Sequence, residues 1–211
     1  RDYYASRGLG DVYKRQCRKH HERDGGNQML ESGIVAHCAP TLAGIKTANM
    51  FNYLPDDMED LPREVQEENR KLNGKGVYVE ILRTGEKRAL IYVYRKNKLE
   101  ADLNREGAEN ILQTCGYECR GTDCCLRKLQ DRFFQYECFP HEVGLFLGYP
   151  LDDVTGFIEQ KGKNYKCCGI WKVYGDEQKT QVIFRKLKKC SEIYQKLFAD
   201  GRSILQLTVA A

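Results

Sequence analysis

The chain has 211 residues, of which 41% are hydrophobic, and a formal charge of +4. This length suits one domain of ordinary size with its own apolar core. Residues 1–24 carry seven of the 34 Lys and Arg against four of the 30 Asp and Glu, so the rest of the chain is close to neutral. Without a surplus of basic residues, we expect no nucleic-acid partner.

Apolar patterning and cysteine content indicate the compartment. No apolar run approaches the roughly 20 residues of a membrane span, and the N-terminus lacks the apolar core of a secretion signal. Ten cysteines in a chain with a full apolar complement favour reduced thiols over a disulfide framework. We therefore predict a cytoplasmic protein that has no membrane partner.

The first 16 residues show neither helical nor strand periodicity and lack an initiator Met. We interpret residues 1–16 as a non-native or disordered arm, with a genuine flexible arm as the alternative. Residues 17–29 are predicted to be a flexible lead-in. Residues 30–211 are predicted to form a single domain.

Two helices are predicted first. Apolar residues recur at helical spacing after Pro40, which suits the first turn of a helix because proline has no N–H to satisfy there. A polar surface helix is predicted over 62–72, with Asp60 as its cap and Gly74 at its end.

A β-hairpin is predicted next, because residues 77–82 and 89–94 are rich in β-branched and aromatic side chains and flank a turn. Two amphipathic helices follow. One runs from Leu99 to a stop at Gly116, and the other is capped by Asp123.

Two short helices are predicted between Pro140 and Gln160, with a break at Gly148-Tyr149-Pro150. A third strand is predicted over 165–174. A long amphipathic helix through Ile183 and Leu197 completes the pattern.

These elements together predict an α+β fold. A small, mainly antiparallel three-stranded sheet, made of the hairpin and one later strand, packs with six to seven helices.

Four segments resemble an uncharacterised bacterial family, domain of unknown function 3793, which is best represented in anaerobic Gram-positive bacteria. They are 37–47, 139–154, 156–158 and 171–174. The resemblance covers roughly residues 30–211 and implies a single-domain bacterial cytosolic protein. It implies no activity and no functional residue.

Cys38 is the candidate nucleophile, because a cysteine just before a helix that begins near Pro40 would have its pKa lowered by the helix dipole. With His37 or His141 it would form a Cys-His pair for thiol catalysis. The alternative is a small buried residue of the core.

His141 and Glu142 form a candidate acid/base pair at a predicted helix start, where they could instead satisfy free N–H groups. Gly44 and Gly144 each follow a proline by four residues, so we expect their two helices to cross at the glycines. A ligand cleft at these paired helix starts is then predicted to be lined by five residues, namely Thr41, Lys46, His141, Glu142 and Tyr149.

The other cysteines do not show metal-site spacing. Cys115, Cys119, Cys124, Cys125, Cys138, Cys167 and Cys168 contain no Cys-x-x-Cys knuckle, so no metal ligand is assigned and the cofactor is unknown.

The sequence therefore favours a non-enzymatic protein that binds an unknown small molecule or protein partner. A thiol-dependent enzyme and a metal- or redox-handling protein are the alternatives, and the residues do not decide whether the protein is an enzyme.

Overall fold

A computed structural model describes residues 29–118, 121–135 and 139–210. The predicted arm and lead-in up to residue 28, together with Cys119 and Cys138, lie outside the described residues. Within these ranges the chain forms two compact units. The first contains residues 29–99 and 186–210, and the second contains residues 100–185. The single domain predicted for 30–211 stays a prediction.

The first unit is built on an antiparallel sheet of order β1-β3-β2. Its strands are β1 (Ala48–Tyr53), β2 (Val77–Thr84) and β3 (Ala89–Arg95). The predicted hairpin is confirmed as β2 and β3, with a bulge between Ile81 and Arg83.

Helices α1 (Leu30–Leu42) and α2 (Leu61–Leu72) contribute to the core of this unit. Side chains from one face of the sheet, including Phe51 and Ile91, belong to the same buried cluster as α1, α2 and the short C-terminal helix α9 (Ile204–Leu207). The helix predicted over 62–72 is confirmed. It is followed by a turn of 3₁₀ helix that ends at Gly76 (φ 76°) and not at Gly74.

The helix predicted to begin at Pro40 is wrong. Pro40 lies in the last turn of α1, and the residues after it turn into β1. A proline here leaves the carbonyl of Ala36 without its usual helical donor. The side-chain amide of Gln195 donates to that carbonyl at 3.2 Å, which compensates for the missing N–H.

The second unit is mainly helical. Its helices are α4 (Ala108–Thr114), α5 (Thr122–Gln135), α6 (Val143–Phe146) and α7 (Leu151–Glu159). The division of the chain into units falls within two further helices, α3 (Lys96–Leu103) and α8 (Glu177–Ala199). The break before α7 and the long C-terminal helix are confirmed. The single helix predicted from Leu99 to Gly116 is two helices, because Gly107 adopts φ 86° between them.

The third strand predicted over 165–174 is wrong. Only Cys167–Cys168 (β4) and Lys172–Val173 (β5) pair, in a separate two-stranded sheet. The chain turns between them, and the amide of Gly169 donates to the carbonyl of Trp171. The third strand of the main sheet is β1, so the α+β class and the three-stranded antiparallel sheet are confirmed with a different strand. Nine helices occur in the described ranges, against six to seven predicted.

Candidate functional site

A buried carboxylate lies at the centre of a polar network in the second unit. Glu142, which is 1% exposed, immediately precedes α6, but its side chain makes no cap hydrogen bond to that helix. The hydroxyl of Tyr117 donates to Glu142 Oε1 at 3.0 Å. Arg132 on α5 places its Nε 2.5 Å from the same oxygen. A charge removed from water needs such partners.

Cys115 belongs to the same network. Arg132 donates from Nη1 to the Cys115 carbonyl at 3.0 Å. Burial, together with the charge of Glu142 and a hydrogen bond to it, raises the pKa of the Cys115 thiol to about 11. The thiol is therefore protonated at neutral pH and is not a nucleophilic thiolate.

His141 packs edge-on against the ring of Phe157, with ring centroids 5.3 Å apart. Burial lowers the pKa of His141, and the nearby carboxylate of Glu142 raises it by less. His141 is therefore neutral at physiological pH, and Glu142 already accepts bonds from Tyr117 and Arg132. The geometry of Glu142 is that of a structural ion pair.

An open cleft of about 850 Å³ lies in the same unit. It is lined by α4, by the loop before it and by the start of α5. Tyr117 lines the cleft and also donates to Glu142, so one side chain connects the cleft to the buried network. Most of the other lining side chains are polar, including Asn104, Arg105, Glu106, Glu109, Asn110 and Gln113.

Tyr149 is connected to this cleft through its backbone. Arg105 lines the cleft and donates from Nη2 to the Tyr149 carbonyl at 3.0 Å. The Tyr149 ring is buried and stacks on Trp171 at 4.5 Å between centroids. Burial raises the pKa of the Tyr149 hydroxyl.

Asp153, in the first turn of α7, is a second buried carboxylate of this unit. The carboxylate is 3% exposed. It accepts hydrogen bonds from the indole of Trp171 at 2.7 Å and from the amides of Tyr174 and Gly175 at 2.7 and 2.8 Å. Asp153 therefore ties α7 to the segment that contains β5.

The remaining predicted site residues lie in the first unit. Cys38 is fully buried inside α1, where burial raises its pKa well above the ordinary value and the charge of Lys46 lowers it by less. The hydroxyl of Thr41 donates to the Asn49 side chain at 2.9 Å. The Lys46 ammonium donates to the Ala48 carbonyl. These contacts are those of packed structural residues.

Neither unit by itself holds the predicted Cys38–His141 pair, because Cys38 belongs to the first unit and His141 to the second. The nearest atoms that a Cβ would meet belong to Arg95 at Gly44, and to Val154 and Tyr149 at Gly144. Each glycine is thus packed within its own unit. The premise of the predicted cleft, two paired helix starts, fails because α1 ends near Pro40.

Arg95 is a buried residue that the sequence analysis missed. Its guanidinium donates to the carbonyls of Thr41 and Leu42, each at 2.6 Å, and to that of Val209 at 2.7 Å. It thus supplies donors to the C-terminal end of α1, where helix carbonyls lack partners. An arginine at the end of the otherwise apolar strand β3 was the available signal.

Among the residues that the structure describes, no three His, Cys, Asp or Glu side chains are grouped to hold a metal ion. None of the described helices is long and apolar enough to span a membrane.

Comparison with known proteins adds the family. No curated protein and no solved structure matches the chain. A family model described as protein of unknown function (DUF3793) matches residues 34–208, which include the Glu142 network and the cleft. The chain therefore belongs to the DUF3793 family.

Proposed function

We propose that this protein is a non-enzymatic binding protein that holds a small polar molecule in the cleft of its second unit. The observation that carries the proposal is the cleft of about 850 Å³, lined mostly by polar side chains. Small-molecule sites are concave and fall in this range of volumes.

Two predicted ligand residues support this cleft without lining it. Glu142 anchors the hydroxyl of Tyr117, and the carbonyl of Tyr149 anchors Arg105. Both anchored side chains form walls of the cleft. A wall that is held in place before binding loses less conformational entropy when a ligand arrives.

The thiol-enzyme alternative receives no support from the cysteines discussed above. Burial raises the pKa of both Cys38 and Cys115, which opposes formation of a thiolate. Binding therefore remains the better-supported proposal.

A screen of small polar metabolites by NMR tests the proposed function with the full chain. We expect shift changes that concentrate on the cleft-lining residues within 103–118 and 121–125. Gln113→Trp should weaken or abolish binding because the indole fills the cleft, whereas Gln178→Trp, an exposed position on α8, should not. If no compound binds, or if both variants bind like the parent, the proposal is wrong.

We also propose a bacterial cytosolic location, which rests on the resemblance to a bacterial family and on the seven free cysteines in the described part of the chain. Fractionation of host cells that carry a tagged copy tests this location. Recovery with the secreted fraction would contradict it.

A further inference from the structure

We infer that the second unit carries a binding surface for single-stranded nucleic acid, apart from the cleft. Four lysines around an exposed tyrosine form this surface, which we call the lysine surface. Its members are Lys161, Lys163, Tyr165, Lys166 and Lys172. None of them lines the cleft, so the inference goes beyond the proposed function and does not depend on it.

The basic residues of this chain are not spread evenly. Residues 161–189 carry nine Lys and Arg against two Asp and Glu, whereas residues 25–160 carry 16 against 22. The expectation of no nucleic-acid partner rests on the charge summed beyond residue 24, and that sum conceals the basic segment. Attraction of a polyanion depends instead on the charge within about one Debye length, roughly 10 Å at 0.1 M salt.

Contacts within the second unit bring the lysines together around Tyr165. The Lys172 ammonium lies 4.8 Å from the centre of the Tyr165 ring and donates to the Gly162 carbonyl at 2.7 Å. Two of the other lysines flank Gly162 in the chain, and the third follows Tyr165 directly; all three are exposed. No Asp or Glu occurs in the sequence from residue 160 to residue 175.

The loop between α7 and β4, which presents these lysines, is anchored at both ends. At its start, the amide of Gly162 donates to the Phe157 carbonyl at 2.9 Å. At its end, the amide of Lys166 donates to the Val173 carbonyl at 2.8 Å. A loop that is held in place before binding loses less conformational entropy when a ligand arrives.

Tyr165 favours nucleic acid over other polyanions. Its side chain is 43% exposed among the lysines. Surfaces that bind single strands combine basic groups, which pair with phosphates, and aromatic rings, on which bases stack. An anionic membrane would instead require apolar side chains that insert, and the nearby Trp171 and Val173 are buried.

The carboxylates beside the lysine surface weaken its field without cancelling it. Asp153 is buried and accepts three hydrogen bonds, so its charge is already compensated. Asp152 lies near Gly175, whose carbonyl accepts a bond from Lys166. Glu159 is exposed two residues before the first lysine. Two exposed carboxylates thus stand against four lysines, and the surface stays positive.

The test measures fluorescence anisotropy of labelled oligouridine and oligothymidine, each of about 15 nucleotides, with the full chain. We expect at least one of the two to bind, and to bind more tightly than a duplex of the same length. Lys161→Gln/Lys163→Gln should weaken binding about 20-fold at 0.1 M salt and lower the slope of log affinity against log salt by about 1.4, because two phosphate contacts are lost. Tyr165→Ala should weaken binding about five- to ten-fold, as for one stacked base, whereas Tyr165→Phe keeps the ring and should bind like the parent.

Lys87→Gln/Lys98→Gln, at two exposed positions of the first unit, removes the same charge and is the matched control. All variants retain residues 1–24, so the basic residues of that segment produce no difference between them. Absence of binding to both single strands overturns the inference, and so do tighter binding of the duplex and equal losses in the two double variants. Binding to phosphatidylserine vesicles but to neither oligonucleotide would assign the surface to a membrane and overturn it as well.

Discussion

Individual buried polar residues give this protein its specific contacts. Glu142, Asp153 and Arg95 are each at most 3% exposed, and each makes several hydrogen bonds or ion pairs. Burying such groups is unfavourable unless they are paired. Each therefore requires a specific arrangement of its neighbours, and substitution of any one leaves a partner without its bond.

Replacing Glu142 tests the buried network. Glu142→Gln keeps an oxygen for Tyr117 but leaves Arg132 without its counter-charge. Breaking a buried pair costs about 3–5 kcal/mol, and the Arg132 side chain is 22% exposed. We therefore expect a loss of up to about 3 kcal/mol in the free energy of unfolding, measured in urea. Glu159→Gln should change it little, and equal effects of the two variants would contradict the network.

Acid should destabilise the protein through His141. Burial lowers the pKa of His141 in the folded state, so the unfolded chain binds the proton more readily below about pH 6.5. This contribution to stability is present at neutral pH and is lost as the pH falls through that range. The difference in unfolding free energy between about pH 7.5 and about pH 5.5 should be smaller in His141→Gln. An identical difference in both proteins would rule out this role.

At the scale of elements, close contacts and helix ends decide where segments pack. Gly156 in α7 lies directly beneath the Tyr174 ring, since a Cβ there would come within 2.5 Å of it. Arg95 joins the end of β3 to the end of α1 and to the C-terminal segment. These contacts explain the positions of a helix and of a chain terminus.

Adding one methyl group at Gly156 should be destabilising. Gly156→Ala overpacks the contact with Tyr174, and such changes cost about 1–3 kcal/mol. Gly74→Ala is the matched control, because a Cβ there meets nothing within 4 Å. Thermal unfolding of both variants checks this expectation, and a Gly156→Ala protein as stable as the control would refute the close packing.

Arg95→Met should loosen the C-terminal segment. The variant removes three hydrogen bonds from a charged donor, each worth about 1.5–3 kcal/mol, so we expect a loss of at least about 2 kcal/mol in unfolding free energy. Hydrogen exchange at the Val209 amide, which donates to Leu42, should accelerate. Arg83→Met on the exposed end of β2 should have neither effect. Unchanged exchange at Val209 would show that Arg95 does not hold the segment.

At the scale of the whole molecule, the two compact units unfold either together or in separate transitions. Cys38 lies buried in the first unit, Cys125 lies buried in the second, and Cys168 is exposed. These three thiols report on different parts of the chain in one experiment.

Pulsed alkylation in increasing urea, read by peptide mass spectrometry, tests the predicted single domain. Cys168 should react in the native protein, whereas Cys38 and Cys125 should react only after unfolding. If residues 30–211 are one cooperative domain, the two buried thiols become reactive at the same urea concentration. Separate midpoints would contradict the single domain.

The local sequence pattern predicted an element correctly where one periodicity of the side chains dominated its segment. The hairpin of β2 and β3, the polar helix α2, the break before α7 and the helix α8 all follow from side-chain alternation, helical spacing or a proline. The prediction failed at β1, where apolar residues spaced by three also fit a strand that is buried on both faces. Pairing with β3 decided that segment, and pairing is not visible in a local window.

In the candidate site, too, the sequence predicted some features and the folded structure alone decided others. The sequence by itself determined the α+β class and the family, because these depend on local composition and motif. Only the tertiary structure decided that Glu142 is paired with Arg132, that Cys38 is buried within a helix, and that the cleft is lined by residues from the ranges 103–118 and 121–125. Burial and pairing are properties of residues distant in the chain, so they appear only when the chain is folded.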